Sequence, residues 1–215
     1  MWQSTAADAR YARDAVFSPD GKSVVVVDGE TCRWLDARTG NEVQSCAIKL
    51  PKQHFGCLGA RGALLAVTPE APGNGLVVYE LPSGQERFRI VDFKATAFGE
   101  FLFSPDGTTL AALERSGPRD FRIRFVDTAT GRPLGAFDPV GLRRCLVFSP
   151  DGKKLLAHDC RSKVTVWSVP TGEVLHRLDT GVIGLLTVAF APDGRSVIAK
   201  PHPFPSVRRS ASGTR

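Results

Sequence analysis

The chain has 215 residues, of which 42% are hydrophobic and 23% charged, enough apolar material for a core and too much for a disordered chain. Its formal net charge of +6 arises at the end: from Arg195 onward there are five basic residues and no acidic one, and what precedes is nearly neutral. That distribution weakens the case for a nucleic-acid-binding body, and the protein is expected to meet neither specific nucleic acid nor a membrane.

The first residues, MWQSTAADARYARDAV, hold no apolar signal core, and no stretch approaches the roughly 18 apolar residues of a spanning helix, so a soluble, cytoplasmic protein is expected. The first strong local signal is Phe17-Ser-Pro-Asp-Gly21. Pro19 presets φ for the first central position of a type I turn, Asp20 suits the second, and Gly21 takes the left-handed position that closes a hairpin. Val24 to Val27 then reads as a strand, Arg33-Trp34-Leu35-Asp36 as the next, and Thr39-Gly40 as a second turn. Cys32 and Cys46 flank that turn, so the two would face each other across neighbouring strands if the register allows.

Past the connection Lys49 to His54 comes a degenerate copy, Leu58-Gly-Ala-Arg-Gly62, with a strand at Leu64 to Val67, then Val77-Val78-Tyr79-Glu80 and a turn at Ser83-Gly84. The third copy starts at Phe103-Ser-Pro-Asp-Gly107 and carries Ile123 to Asp127 and Thr130-Gly131. The fourth is the most complete: strands at Cys145 to Phe148, Lys153 to Ala157, Lys163 to Trp167 and Glu173 to Leu178, with turns at Ser149-Pro150-Asp151-Gly152 and Thr171-Gly172. A fifth starts at Phe190-Ala-Pro-Asp-Gly194, and after Lys200 the pattern gives way to PHPFPSVRRSASGTR.

Successive copies start 41 to 45 residues apart, a period that suggests propeller blades. A lone four-stranded blade buries too little apolar surface to offset its ordering entropy, so blades must stack, which accounts for strands apolar on both faces. The period, the Phe or Leu ahead of each first turn, and the aromatic or acidic residues before each second turn (Trp34-Leu35-Asp36, Tyr79-Glu80, Val126-Asp127, Trp167-Ser168) resemble the WD-repeat β-propeller family over essentially all of the ordered chain. The tryptophan-aspartate pair is imperfect, and the glycine-histidine pair that usually opens such a repeat is missing, which marks a divergent, bacterial-style array. The expected fold is all-β: four complete four-stranded blades at about 10–48, 54–91, 98–137 and 143–178, a partial fifth at 185–200, and a basic, disordered tail at 201–215. Truncation of a larger propeller is the favoured explanation for the partial blade; closure by Met1 to Thr5 and self-association through open edges are the rivals.

No residue constellation points to chemistry. Five scattered cysteines (Cys32, Cys46, Cys57, Cys145, Cys160) without a C-x-x-C pair read as buried reduced thiols, and His54, His158, His176 and His202 stand singly. Gly56, Gly59 and Gly62 are not spaced as a phosphate loop. The aspartates Asp20, Asp106, Asp151 and Asp193 recur with Pro19, Pro105, Pro150 and Pro192 and with Gly21, Gly107, Gly152 and Gly194, because the turns need them. A catalytic carboxylate would not be copied four times. The connections Thr68 to Gly75, Glu114 to Asp120 and Asp138 to Arg144 are longer than a hairpin needs, and loops on rigid scaffolds carry function. Arg115, Arg119, Arg143 and Arg144 form the candidate contact patch, suited to carboxylate or phosphate groups. The resemblance implies a non-catalytic scaffold with a protein partner, no metal and no cofactor. The alternative is a propeller enzyme of lactonase or quinoprotein-dehydrogenase type with a metal or cofactor in a central channel.

Overall fold

The computed structural model describes residues 12–28, 30–48, 54–59, 62–69, 75–96, 100–117, 120–139, 144–158, 162–181 and 185–201. They divide into two compact units, residues 1–140 with 170–172, and residues 141–169 with 173–215. Arg119, Arg143 and the tail beyond Pro201 lie outside the described residues.

The first unit contains three four-stranded antiparallel meanders. In the first, β1 (Ala12–Phe17), β2 (Ser23–Asp28), β3 (Thr31–Asp36) and β4 (Glu42–Ala47) pair in chain order. The second runs β5 (His54–Gly59), β6 (Leu64–Pro69), β7 (Leu76–Glu80) and β8 (Glu86–Ile90); the third runs β9 (Phe101–Phe103), β10 (Thr109–Arg115), β11 (Phe121–Asp127) and β12 (Pro133–Phe137). The first strands lie beside one another, β1 next to β5 and β5 next to β9. The middle sheet shows why its strands are apolar throughout. Leu65 and Val67 pack with Val25, Val27 and Cys32 of the first sheet, whereas Leu64, Ala66, Leu76 and Val78 pack with Phe103, Leu110, Ala112 and Val126 of the third. Alternate side chains enter two different cores, so no alternate position is free to be polar.

The second unit holds a fourth meander, β13 (Arg144–Phe148), β14 (Lys154–His158), β15 (Lys163–Ser168) and β16 (Val174–Asp179), and a two-stranded sheet, β17 (Leu185–Phe190) with β18 (Val197–Pro201). Its core is Leu156, Val164, Val166 and Val188, with Val147, Phe190, Val197 and Ala199 against it. Strand ends differ from the sequence expectation at two connections: Thr68 and Pro69 belong to β6, and Glu114 and Arg115 to β10.

The Ser-Pro-Asp-Gly turns are closed by their own side chains. The Gly21 N–H donates to the Ser18 carbonyl at 2.9 Å, and Gly21 sits at φ 69°, the left-handed region that costs glycine nothing. The Ser18 hydroxyl donates to Asp20 Oδ1 at 2.7 Å and accepts the Ser23 N–H at 3.0 Å, while Asp20 Oδ1 also accepts the Lys22 N–H at 3.0 Å. Ser104 with Asp106 and Ser149 with Asp151 repeat the device. Where Ala191 replaces the serine, Asp193 accepts both following N–H groups itself, from Arg195 at 2.9 Å and Ser196 at 3.4 Å. Two of the second turns use an aspartate three residues before threonine. Asp36 Oδ1 accepts the Thr39 N–H at 2.7 Å and hydroxyl at 2.9 Å, and Asp127 does the same for Thr130.

Candidate functional site: an apolar cleft among the first turns

The ends of β1, β5 and β9 carry the first, second and third turns, and between them lies a cleft of about 480 Å³. Phe17, Leu58 and Phe103 form its apolar walls, and Pro19 and Pro105 extend it along the turns. Phe17 is 63% exposed, whereas Phe103 is 9% exposed. Phe103 lies directly on the backbone of Gly59. A Cβ at that glycine would fall 1.9 Å from Phe103 Cδ2 and 2.0 Å from Cγ. Gly59 occupies the place that Ser18 and Ser104 hold in the neighbouring copies, so the degenerate second anchor is the one that admits the ring.

Among the described residues, none of the side chains lining this cleft carries a charge. Its two serine hydroxyls are directed into their own turns, Ser18 to Asp20 and Ser104 to Asp106 at 2.6 Å. The cleft therefore offers shape and apolar surface, with little to orient a small polar substrate. The turn carboxylates are likewise engaged within their own turns. The Ser104 hydroxyl holds the Asp106 carboxyl below the usual carboxylate range, helped by the Thr108 N–H and hydroxyl, and Asp20 and Asp151 are lowered first by Ser18 and Ser149. A general acid or base at neutral pH needs the opposite shift.

A second, more polar groove of about 500 Å³ in the same unit is lined by Glu80, Arg87, Asp106, Asp127 and Thr128 among others. Arg87 pairs with Glu80 at 3.5 Å, and the Thr128 hydroxyl donates to the Gly107 carbonyl at 2.6 Å. The Thr130 hydroxyl and N–H lower Asp127. These groups hold the turns together. Among the described residues, no three His, Cys, Asp or Glu side chains converge as metal ligands would.

The arginines fall differently from the expected patch. Arg115 ends β10, exposed, in the first unit; Arg144 begins β13 in the second, with its side chain outside the described residues. The charge cluster that sequence reading missed is centred on Arg124 of β11. Its Nε and Nη2 donate to Glu114 Oε1 at 3.2 and 3.0 Å, and its Nη1 donates to Asp92 Oδ1 at 3.0 Å. The Glu114 side chain is 7% exposed and Asp92's 69%, so the first pair is buried and the second faces water. Burial works against the Arg124 charge, and Asp92 and Glu114 together outweigh it, raising the guanidinium pKa further.

Four antiparallel four-stranded meanders and a partial fifth, with their hairpin turns encoded by repeated motifs, define an all-β, β-propeller-like protein. Among solved structures, the chain is similar to Kuenenia stuttgartiensis hydrazine synthase, with a TM-score of 0.62 and 21% identity over 92% of this chain and 58% of that one. This chain thus spans less than two thirds of that protein's length, and the likeness concerns the fold. No family model matches the sequence. No helix among the described residues is long and apolar enough to cross a membrane.

Proposed function

We propose that the protein is a non-catalytic interaction module built from WD-like repeats, which holds a partner protein by seating one of its apolar side chains in the cleft beside Phe17. The observation that carries this reading is the cleft's lining among the described residues: apolar walls, no charged side chain, and hydroxyls engaged in the turns. An exposed aromatic beside a preformed depression is the type of group that dominates interface energies. Phe17 stands 63% exposed, whereas its equivalents in later copies, Phe103 and Phe148, are 9% and 7% exposed. The WD-repeat assignment rests on the repeat period and the residues before each second turn.

The enzymatic alternative has in its favour that the similar solved structure is named as a synthase, and propeller enzymes of lactonase or quinoprotein type work through a central metal or cofactor. Against it stands the lining of the cleft, which carries no charged side chain among the described residues. Panning a displayed random-peptide library on the full chain tests the binding reading. Selected peptides should share one aromatic or large aliphatic residue, and Phe17→Ser should weaken them at least about tenfold, or about 1.4 kcal/mol, without lowering the melting temperature. Peptides that bind Phe17→Ser as well as the wild type would remove the cleft from the proposal. Stoichiometric calcium or zinc in purified protein would favour the enzyme.

A further inference from the structure

Cys32 on β3 stands directly opposite Cys46 on β4, and both are free thiols. The ladder phase follows from its neighbour: the Ile48 N–H donates to the Glu30 carbonyl at 2.7 Å, which makes Glu30 and Ile48 a hydrogen-bonded pair. Two residues further along each strand, Cys32 and Cys46 are again a hydrogen-bonded pair, with Cα atoms roughly 5.5 Å apart. That separation lies within the roughly 4.4 to 6.8 Å that a disulfide spans, while the Cβ atoms, about 5.5 Å apart at such a pair against the roughly 3.5 to 4.5 Å of a disulfide, must draw together, which makes the closed bond readily reduced. As directly paired residues, the two side chains project from the same face of the sheet. β4 is the outermost strand of its sheet and is exposed along its length, Cys46 being its one partly covered residue, whereas Cys32 is wholly buried in the core with Val25, Val27 and Ile48.

We propose that Cys32 and Cys46 are a reversible redox site, closed to a cross-strand disulfide by a low-molecular-weight disulfide and reopened by thiols, which staples β4 to β3. Cys46, the accessible member, is the entry point. Its thiolate attacks the small disulfide, forms a mixed disulfide and releases one small thiolate. The Cys32 sulfur gives up its proton and attacks the Cys46 sulfur, releasing the second small thiolate. Two protein thiols are oxidised and one small disulfide is reduced to two thiols, so electrons and protons balance.

The environment fixes this order. Burial pushes the Cys32 thiol up to about 12, and its hydrogen bond to Cys46 pushes the same way. Burial also raises Cys46, but the hydrogen bond from Cys32 lowers it, so the outer sulfur is favoured as the first thiolate. Closure removes the freedom of an edge strand held by one ladder only. It would thereby control whether the edge of β3 can ever be offered to another strand.

The test is peptide mapping of the full chain after incubation with oxidised glutathione, under non-reducing conditions. The expected product is a Cys32–Cys46 linked peptide, lighter by two hydrogens, without retained glutathione and reversed by dithiothreitol. In Cys32→Ala, Cys46 should keep its glutathione, because the resolving sulfur is gone. Hydrogen exchange at the β4 amides should slow by roughly tenfold or more in the oxidised protein. A stable glutathione adduct on wild-type Cys46, disulfides through Cys57, Cys145 or Cys160 in place of the pair, or no thiol oxidised at all would each overturn the proposal.

Discussion

Replacing Gly59 by alanine tests the packing that shapes the cleft. The added Cβ would meet Phe103 Cδ2 at 1.9 Å, Cγ at 2.0 Å and Cβ at 2.5 Å, too close on the ring root to be relieved by rotating its far end. Phe103 must shift, and with it the contacts it makes with Leu64, Leu110 and Ala112 in the second-to-third sheet core. Forcing extra volume into a packed core costs about 1 to 3 kcal/mol, and unburying a phenylalanine about 1.5 to 3, so a destabilisation of about 2 to 3 kcal/mol is expected. In a chain of this size, that corresponds to a fall of roughly 5 to 10 °C in melting temperature by circular dichroism or calorimetry. The double variant Gly59→Ala/Phe103→Ala separates the clash from any backbone effect. With the ring gone, Gly59→Ala should add almost nothing to the loss from Phe103→Ala, a coupling of about 2 kcal/mol. A Gly59→Ala protein within about 0.5 kcal/mol of the wild type would refute the reasoning.

Two further predictions concern charge. Glu114→Gln should destabilise by about 2 to 3 kcal/mol in urea unfolding, because Arg124 would keep its charge in a largely buried place with only Asp92 beside it, whereas Asp92→Asn should cost under about 1 kcal/mol. Equal effects of the two would contradict the burial difference. Asp20, Asp106 and Asp151 are lowered in the folded protein, so the native state binds fewer protons than the unfolded one there. Their contribution is present above the unfolded carboxylate value of about 3.9 and is lost as pH falls through the lower folded values. The urea midpoint should begin to fall near pH 4 and continue below it; no loss down to pH 2 would contradict the turn geometry.

Legibility from sequence followed how local each interaction is. The three Ser-Pro-Asp-Gly turns could be read directly because donor, acceptor and left-handed glycine lie within six residues, as Ser18, Asp20, Gly21 and Ser23 show. Asp36 and Asp127 were visible as residues before the second turn, and their spacing to Thr39 and Thr130 held the signal that they close it. The facing of Cys32 and Cys46 awaited only the register. Glu114 was different. In sequence it opens a polar run, ERSGPRD, that resembles a loop, and only the β10–β11 ladder brings it beside Arg124. The cleft was also out of reach, since its walls come from three copies and its shape depends on Phe103 lying over Gly59, a contact across two sheets.

The most direct test of the account is an amide chemical-shift map of the full chain titrated with a peptide selected on the wild-type protein. The shifts should centre on the amides of Val16, Phe17, Ser18, Asp20 and Gly21, of Leu58 and Gly59, and of Phe103 and Ser104, fading in Phe17→Ser. Shifts centred on the polar groove around Arg87 and Asp127, or spread over the outer strands with the cleft silent, would contradict it.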